Sequence, residues 1–497
     1  MTTSDPRDPL ATLRLPLAEL PDPLPIPTLA SVGVDRFDAT ITPPGSKSLT
    51  NRLLLLAALA EGESVLRRPL VEADDARRML AAVRVLGAGV DQEDGDAGPL
   101  VRINGAGGRW KKTDGATLNL NNAGTATRFL AASSVLAADP ITIDGNERMR
   151  QRPIGPLVDA LKQVGVTARY AGEPGCPPVI LAPPAAGLPV GATITLGELP
   201  SSQFVSGLLM VGAFLPGGLR LKIEGEVTSR TYIDMTLSLL KKLGATTEAS
   251  GDRSSLAVST TPDAKSEAGA GTGAGTAAGT GEPAPTTGLD AFDIRVEPDA
   301  SGATYWWAAA ALCPGSVARV PDLEDSLQGD ARFPEALRPM GVGVQTVAGS
   351  LIAGGPGQLV GRETDMSGMP DAAMSLAAAA CFAKGPSAMT GLETLRVKEC
   401  DRIAAMETEL AKVGMEVRSN VDGDAGRMTF APPTPAGIET SEDASPVEFD
   451  TYDDHRMAMS LALIGLRRPN VAIKDPGCVA KTYPTFFQDL ATLYDAR

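Results

Sequence analysis

The sequence predicts an α/β fold made of six copies of one unit, and two recurrences carry that prediction. The first is an apolar helix opened by small or polar residues. It starts near Ser46-Lys47-Ser48, Gly124-Thr125-Ala126, Ser201-Ser202-Gln203, Ala300-Ser301-Gly302, Pro370-Asp371-Ala372 and Asp454-His455-Arg456. The second is a glycine that closes a further helix before a strand-like run, at Gly87, Gly165, Gly244, Gly341 and Gly414. These glycines fit left-handed helix C-caps. Their spacings of 78, 79, 97 and 73 residues mark a structural repeat. The sixth unit ends with the last helix, near Tyr483 to Tyr494.

A chain of 497 residues, 43% of them apolar, can bury two sizeable cores. No apolar run approaches a membrane span, and the N-terminus lacks a signal-peptide pattern, so a cytoplasmic location is expected. The five cysteines are scattered, without metal-ligand spacing, which argues against a disulfide framework. A net charge of −15 argues against nucleic acid or an acidic membrane as the main partner. Against that background, the unit turns hold Lys47, Arg52, Arg128, Arg148, Arg230, Lys398, Arg402, Arg456 and Lys481. Cations at helix starts oppose the macrodipole, which favours carboxylates there. A bound anion would offset that cost; ordinary surface charge is the plainer alternative.

Residues 1–31 are rich in proline and read as a poorly ordered extension. Unit one then enters the turn Pro44 to Arg52. Ser46 and Ser48 can cap free backbone N–H groups, and Arg52 returns to the face of Ser48 one turn later. With Lys47 beside them, these groups make an anion site. Asp74 and Asp75 open the second helix of the unit and are explained by capping alone. In unit two, Gly124 allows close backbone approach to a ligand. Arg148, Arg150 and Arg152 alternate, which in extended chain would put them on one side. Ser201, Ser202 and Gln203 open unit three. Residues 262–288 are a Gly-, Ala- and Thr-rich insert between units three and four, with no capacity to form a core.

Trp306 and Trp307 lie in the apolar helix of unit four and read as core. In unit five, Asp371 is either an N-cap or a general base. Lys398 and Arg402 share a helix face, where like charges repel unless an anion lies between them. In unit six, His455 is the only histidine of the chain, so chemistry needing two is excluded. Lys481 lies in the segment leading the final helix.

Seven short motifs, in order, are similar to those of the 5-enolpyruvylshikimate-3-phosphate synthase family. They are Pro-Gly-Ser-Lys-Ser from Pro44, Asn-Ala-Gly-Thr-Ala from Asn122 and Ser-Ser-Gln-Phe from Ser201. Pro-Asp-Ala-Ala-Met from Pro370, Arg-Val-Lys-Glu from Arg396, Asp-His-Arg-Met-Ala-Met from Asp454 and Val-Ala-Lys-Thr from Val479 complete the set. The resemblance implies a two-domain inside-out α/β barrel of six βαβαββ repeats, three per domain, with helices inside and sheets outside. Residues 45–261 would form the N-terminal domain. Residues 32–44 and 289–497 would form the C-terminal domain.

The implied reaction transfers the enolpyruvyl group of phosphoenolpyruvate to shikimate-3-phosphate and releases phosphate, in the shikimate pathway to chorismate and the aromatic amino acids. It needs no metal or cofactor, and a monomer is expected. By motif match, Lys47, Ser48, Arg52, Ser201, Ser202, Gln203, Ser229, Tyr232, Asp371 and Lys398 would hold shikimate-3-phosphate. Lys47, Gly124, Arg148, Gln203, Arg402, Arg456 and Lys481 would hold phosphoenolpyruvate. Asp371, Glu399 and Lys47 would be catalytic. Asp371 would act as base for the substrate hydroxyl and Glu399 as proton donor to the methylene, two carboxylates held in opposite protonation states by different fields.

The chain departs from the family at three places. Thr394 stands where an asparagine is common, Cys400 replaces a small hydroxyl residue, and Phe129 stands where many members have proline. The family is the target of glyphosate, and Gly124 favours sensitivity because a side chain there would crowd the phosphoenolpyruvate site. UDP-N-acetylglucosamine enolpyruvyl transferase is the nearest alternative, but it has Lys-Asn in place of Lys47-Ser48 and commonly a reactive loop cysteine. A non-catalytic anion-binding protein on the same repeats is the alternative from another class.

Overall fold

The computed structural model describes residues 10–95, 98–110, 115–197, 201–225, 229–260, 288–435 and 437–496. Residues 1–9 and all but the last residue of the 262–288 insert lie outside the described residues. Among the described residues, no helix is long and apolar enough to cross a membrane.

Six helices open the six units: α1 (Lys47–Leu59), α2 (Gly124–Ala132), α3 (Ser202–Gly212), α4 (Ala300–Leu312), α5 (Ala373–Ala380) and α6 (His455–Gly465). Every residue of α2, α4, α5 and α6 is buried. A helix apolar on all sides belongs inside a core, and the Ala- and Leu-rich sequences of these four leave no polar stripe to face water. Ser46, Ser201, Asp299 and Asp454 each accept a bond from a first-turn N–H of the helix they precede, satisfying donors that a helix start otherwise leaves orphaned. The five punctuating glycines all have positive φ, between 83° and 102°.

The sheets repeat one plan. In unit two, Thr117–Asn119 lies parallel to Ile141–Asp144, which pairs antiparallel with Val179–Ala182, itself paired antiparallel with Thr167–Tyr170. Units three and five repeat this order. Units one and four exchange their first strands. Asp293–Arg295 completes the sheet of unit one beside Glu63–Arg67, and Asp38–Thr40 completes that of unit four beside Val317–Val320. The two crossing segments run side by side. Ser46 N–H donates to the Glu297 carbonyl and Asp299 N–H to the Pro44 carbonyl, each at 2.8 Å.

Two separate apolar cores result. One gathers α1, α2 and α3; the other gathers α4, α5 and α6 together with Phe37, Ala39 and Ile41. The expected change of domain at residue 289 falls later. Leu289 and Val296 are buried in the first core. The physical reason is the strand exchange: Asp38–Thr40 serves unit four, so Glu63–Arg67 would keep an open edge, and the returning chain fills it before it enters the second core at α4.

The expectation of a poorly ordered extension fails for residues 10–31. Leu24–Ile26 pairs antiparallel with Val471–Ile473 and occupies, in unit six, the place that a hairpin strand takes elsewhere. The last unit ends in the helix Phe486–Thr492 and supplies no such strand itself. Leu13, Leu24, Ile26 and Leu29 are buried in the second core.

Trp306 is fully buried and stacks on Phe486 at a centroid distance of 5.2 Å. Trp306→Ala should destabilise the second core by about 3–5 kcal/mol. In denaturant titration this appears as an earlier transition for that core, with the transition of the first core in place.

Candidate active site

The starts of α1, α2 and α3 from the first core, and those of α5 and α6 from the second, converge on one cleft. It encloses about 950 Å³ of space open to solvent at its mouth. The start of α4 does not reach it. Seven cations line it: Lys47, Arg52, Arg128 and Arg152 from the first core, and Lys398, Arg402 and Arg456 from the second. Among the described residues three carboxylates, Asp75, Asp371 and Glu399, face them.

The two walls differ electrostatically. On the first wall Arg52, Arg128 and Arg152 are buried, and among the described residues none has a carboxylate partner. Arg52 is held by neutral acceptors: the Thr236 hydroxyl at 2.8 Å, the Ser48 carbonyl at 2.9 Å and the Ser206 hydroxyl at 3.1 Å. Its guanidinium also lies over the Phe129 ring, 5.2 Å from the centroid. Arg128 donates to the Gln203 side-chain oxygen at 2.9 Å, and its Nε has no partner. Burial lowers the pKa of Arg52 to about 10. Burial, joined by repulsion from Arg152, lowers that of Arg128 to about 9. Buried charge without a counter-charge is costly, so this wall is built for an anion that arrives from outside.

The second wall neutralises itself. Arg402 donates to Asp371 at 2.8 Å, to Asp454 at 2.8 Å and to Glu399 at 2.9 Å. Lys481 Nζ lies 3.0 Å from Glu399, and Lys398 Nζ lies 3.6 Å from Asp371. Tyr232 of the first core donates its hydroxyl to Asp371 at 2.9 Å, tying the walls together. Burial pushes the Asp371 carboxyl up, but Lys398, Arg456 and Arg402 together outweigh it and hold the group well below the usual carboxylate range. Glu399 behaves alike: burial raises it, and Lys481, Arg402 and Lys47 bring it well below. With these cations beside them both carboxylates are held in the ionised form. The fields at the two positions have the same sign.

Lys47, Ser48, Arg52, Gly124, Ser201, Ser202, Gln203, Ser229, Tyr232, Asp371, Lys398, Glu399, Arg402 and Arg456 all line the cleft. Lys481 reaches it through Glu399. Arg148 is the exception. It is exposed and donates to Gln151. Its segment is not extended: Met149–Gln151 is a tight 3-10 turn, so the three arginines diverge. Arg150 pairs with Asp144, and Arg152 alone turns into the cleft.

Sequence reasoning counted Arg128 among the anion-directed turn cations but gave it no place in the site, and it passed over Asp75. Arg128 follows Gly124 by one helical turn, as Arg52 follows Ser48, and that parallel was available. Asp75 looked like capping, yet it is buried with a carboxylate oxygen 3.9 Å from Lys47 Nζ. The Thr394 hydroxyl is buried at the cleft without a partner. A Cβ on Gly124 would come within 2.7 Å of the Arg128 guanidinium and 2.8 Å of that of Arg152. His455 is fully buried, and burial, with Arg456 and Lys47, drives its pKa well below normal, so the ring is neutral.

The sequence matches the family model described as EPSP synthase (3-phosphoshikimate 1-carboxyvinyltransferase) over residues 32–270 and 273–490. A relative from Shewanella amazonensis named 3-phosphoshikimate 1-carboxyvinyltransferase is 38% identical over 462 residues, 93% of this chain and 97% of that protein. One from Cupriavidus taiwanensis with the same name is 40% identical over 465 residues, 92% of this chain and 97% of that protein. A solved EPSP synthase from Acinetobacter baumannii shares the fold, with a TM-score of 0.70 at 24% identity over 94% of this chain and 97% of that one. The enolpyruvyl transferase NikO from Streptomyces tendae does so with a TM-score of 0.68 at 18% identity, over 95% of this chain and 98% of that one. The match runs through both cores and every strand exchange between them, and the chain belongs to the EPSP synthase (3-phosphoshikimate 1-carboxyvinyltransferase) family.

Proposed function

We propose that this protein transfers the enolpyruvyl group of phosphoenolpyruvate to the 5-hydroxyl of shikimate-3-phosphate, releasing inorganic phosphate. The observation that carries the reading is a buried cationic cleft in a chain of net charge −15, with three buried arginines on one wall that have no carboxylate partner among the described residues. Both substrates are small polyanions, and the cations that line the cleft outnumber its carboxylates among the described residues. Membership of the family supports the same substrates.

Shikimate-3-phosphate fits against Arg52, Ser48, Ser201, Ser202, Ser229, Tyr232 and Lys398. The phosphate and carboxylate of phosphoenolpyruvate fit among Lys47, Gly124, Gln203, Arg152, Arg402, Arg456 and Lys481, with Arg152 in the place first given to Arg148. Arg128 flanks both. The substrate hydroxyl must lose a proton as its oxygen bonds the enol carbon, while the methylene carbon gains one. Loss of phosphate and of a methyl proton then restores the double bond. Asp371, ionised and oriented by Tyr232, is suited to the first proton. Glu399 must acquire a proton before it can donate one. Substrate anions that draw Lys481, Arg402 and Lys47 toward themselves remove the charges that depress its pKa, so the pKa rises. Binding thereby arms the donor. The same cations stabilise the departing phosphate.

Phosphate release from phosphoenolpyruvate should require shikimate-3-phosphate as acceptor, with no turnover on UDP-N-acetylglucosamine. Lys47→Met and Asp371→Ala should each reduce kcat at least about a hundredfold while keeping the wild-type circular dichroism spectrum. Binding without phosphate release in the wild-type protein would instead mark a non-catalytic anion binder. The electrostatic reading has its own check. In calorimetric titrations across buffers of different ionisation enthalpy, phosphoenolpyruvate binding to the shikimate-3-phosphate complex should take up more protons in wild type than in Glu399→Gln. Equal uptake contradicts the armed-donor mechanism.

A further inference from the structure

Residues 10–31 form a strap on the second core, and the family match begins only at residue 32. The strap lies over the segment that delivers Lys481. That segment runs from the strand Val471–Ile473 through Asp475, a non-glycine residue at φ 44°, into the 3-10 turn Pro476–Lys481. Its end carries the ammonium that stands 3.0 Å from Glu399. The strap holds this segment at three points. Leu24–Ile26 pairs in register with Val471–Ile473. The Asp22 carboxylate accepts the N–H of Asp475 at 3.0 Å, at the left-handed residue where the turn begins. The short 3-10 turn Leu17–Glu19 packs on the turn Pro476–Lys481 itself.

The docking is built into the core. Tyr494 donates its hydroxyl to the Pro27 carbonyl at 2.6 Å, and Leu29 N–H donates to the Leu466 carbonyl at 2.9 Å. At the C-terminal end of α6, a Cβ on Gly465 would come within 2.6 Å of Ile26. The helix that carries Arg456 thus leaves its last position bare where the strap crosses.

We infer that the strap is a positioning element for the phosphoenolpyruvate half of the site, with Asp22 fixing the turn that aims Lys481 at Glu399. This rests on the proposed function. Lys481 sits on a turn of six residues entered through a strained backbone conformation, and such a turn holds its geometry only where its surroundings over-determine it. The strap supplies part of those surroundings. Among the described residues no hydrogen bond or ion pair joins the strap to the groups proposed to grip shikimate-3-phosphate, so the two substrates should respond differently when it is weakened.

The test compares Asp22→Ala, Asp22→Asn and a chain starting at Thr28 with the wild-type protein. Asparagine keeps the acceptor oxygen; alanine removes it. Asp22→Ala should raise KM for phosphoenolpyruvate about fivefold, the size expected for one lost hydrogen bond. KM for shikimate-3-phosphate should stay unchanged, and Asp22→Asn should restore wild-type behaviour. The shortened chain should show the same split, more strongly. A readout independent of turnover is acetic anhydride labelling of Lys481, followed by peptide mass spectrometry. Labelling should be faster in Asp22→Ala than in wild type or Asp22→Asn. Wild-type KM and labelling in Asp22→Ala overturn the inference. So does a joint rise of both KM values with a lowered Tm, which is the mark of a merely structural strap. If the shortened chain does not fold, the alanine and asparagine pair decides. Absence of phosphate release in the wild-type protein would count against the proposed function alone, and the labelling comparison would still decide the role of the strap.

Discussion

Positive charge buried without an internal counter-charge is the constraint on which the rest of this structure depends. Arg52, Arg128 and Arg152 sit in the first wall of the cleft, held by hydroxyls, carbonyls and amide oxygens. The fold could have placed carboxylates beside them, as it did for Arg402. Their absence among the described residues is a standing electrostatic cost that an incoming anion would relieve. The chain as a whole is acidic, so the positive field is confined to the place where it acts.

The architecture serves this arrangement. A helix wholly inside a core can expose only an end, and here five helix starts are exposed to the same cleft. Their dipoles attract anions, and Lys47, Arg52, Arg128 and Arg456 project from the first two turns. The strand exchange ties the two cores together beside this cleft, through the paired crossings at Pro44 and Glu297. The second wall complements the first. Its carboxylates pair with its cations, and in the proposed reaction they become proton carriers when substrate anions compete for the same partners. One set of ion pairs holds this wall together and, on the proposed reading, also tunes its acid–base groups.

Much of this was legible in the sequence because it is local. The caps at Ser46 and Ser201, the glycine stops and the apolar helices each follow from a few adjacent residues. The seven motifs then locate the helix starts of the cleft together with Lys398 and Glu399, while Arg52, Arg128, Arg152, Ser229, Tyr232 and Arg402 lie outside them. Arg148 was misplaced because alternation implies a direction only in extended chain, and a 3-10 turn rotates each arginine differently. Asp75 was hidden by its second identity as a helix-start residue. The order of residues 10–31 was illegible because it comes from tertiary contact: a proline-rich stretch has no strong preference of its own, and unit six needs an antiparallel strand that only the N-terminus provides. The shared protonation state of Asp371 and Glu399 could not be read either, since it depends on distances to cations from three separate units.

The central claim is that the unpaired arginines of the first wall and the paired cations of the second both exist to grip substrate anions. A crystal structure with shikimate-3-phosphate and inorganic phosphate bound tests it most directly. The account predicts one phosphate within hydrogen-bond reach of the wall around Arg52 and Lys398. It places the other among Lys47, Arg152 and Arg402, with the Arg402–Glu399 contact lengthened. Ligands seated outside the cleft, or inside it with Arg52 and Arg152 still bonded only to neutral protein groups, would contradict it.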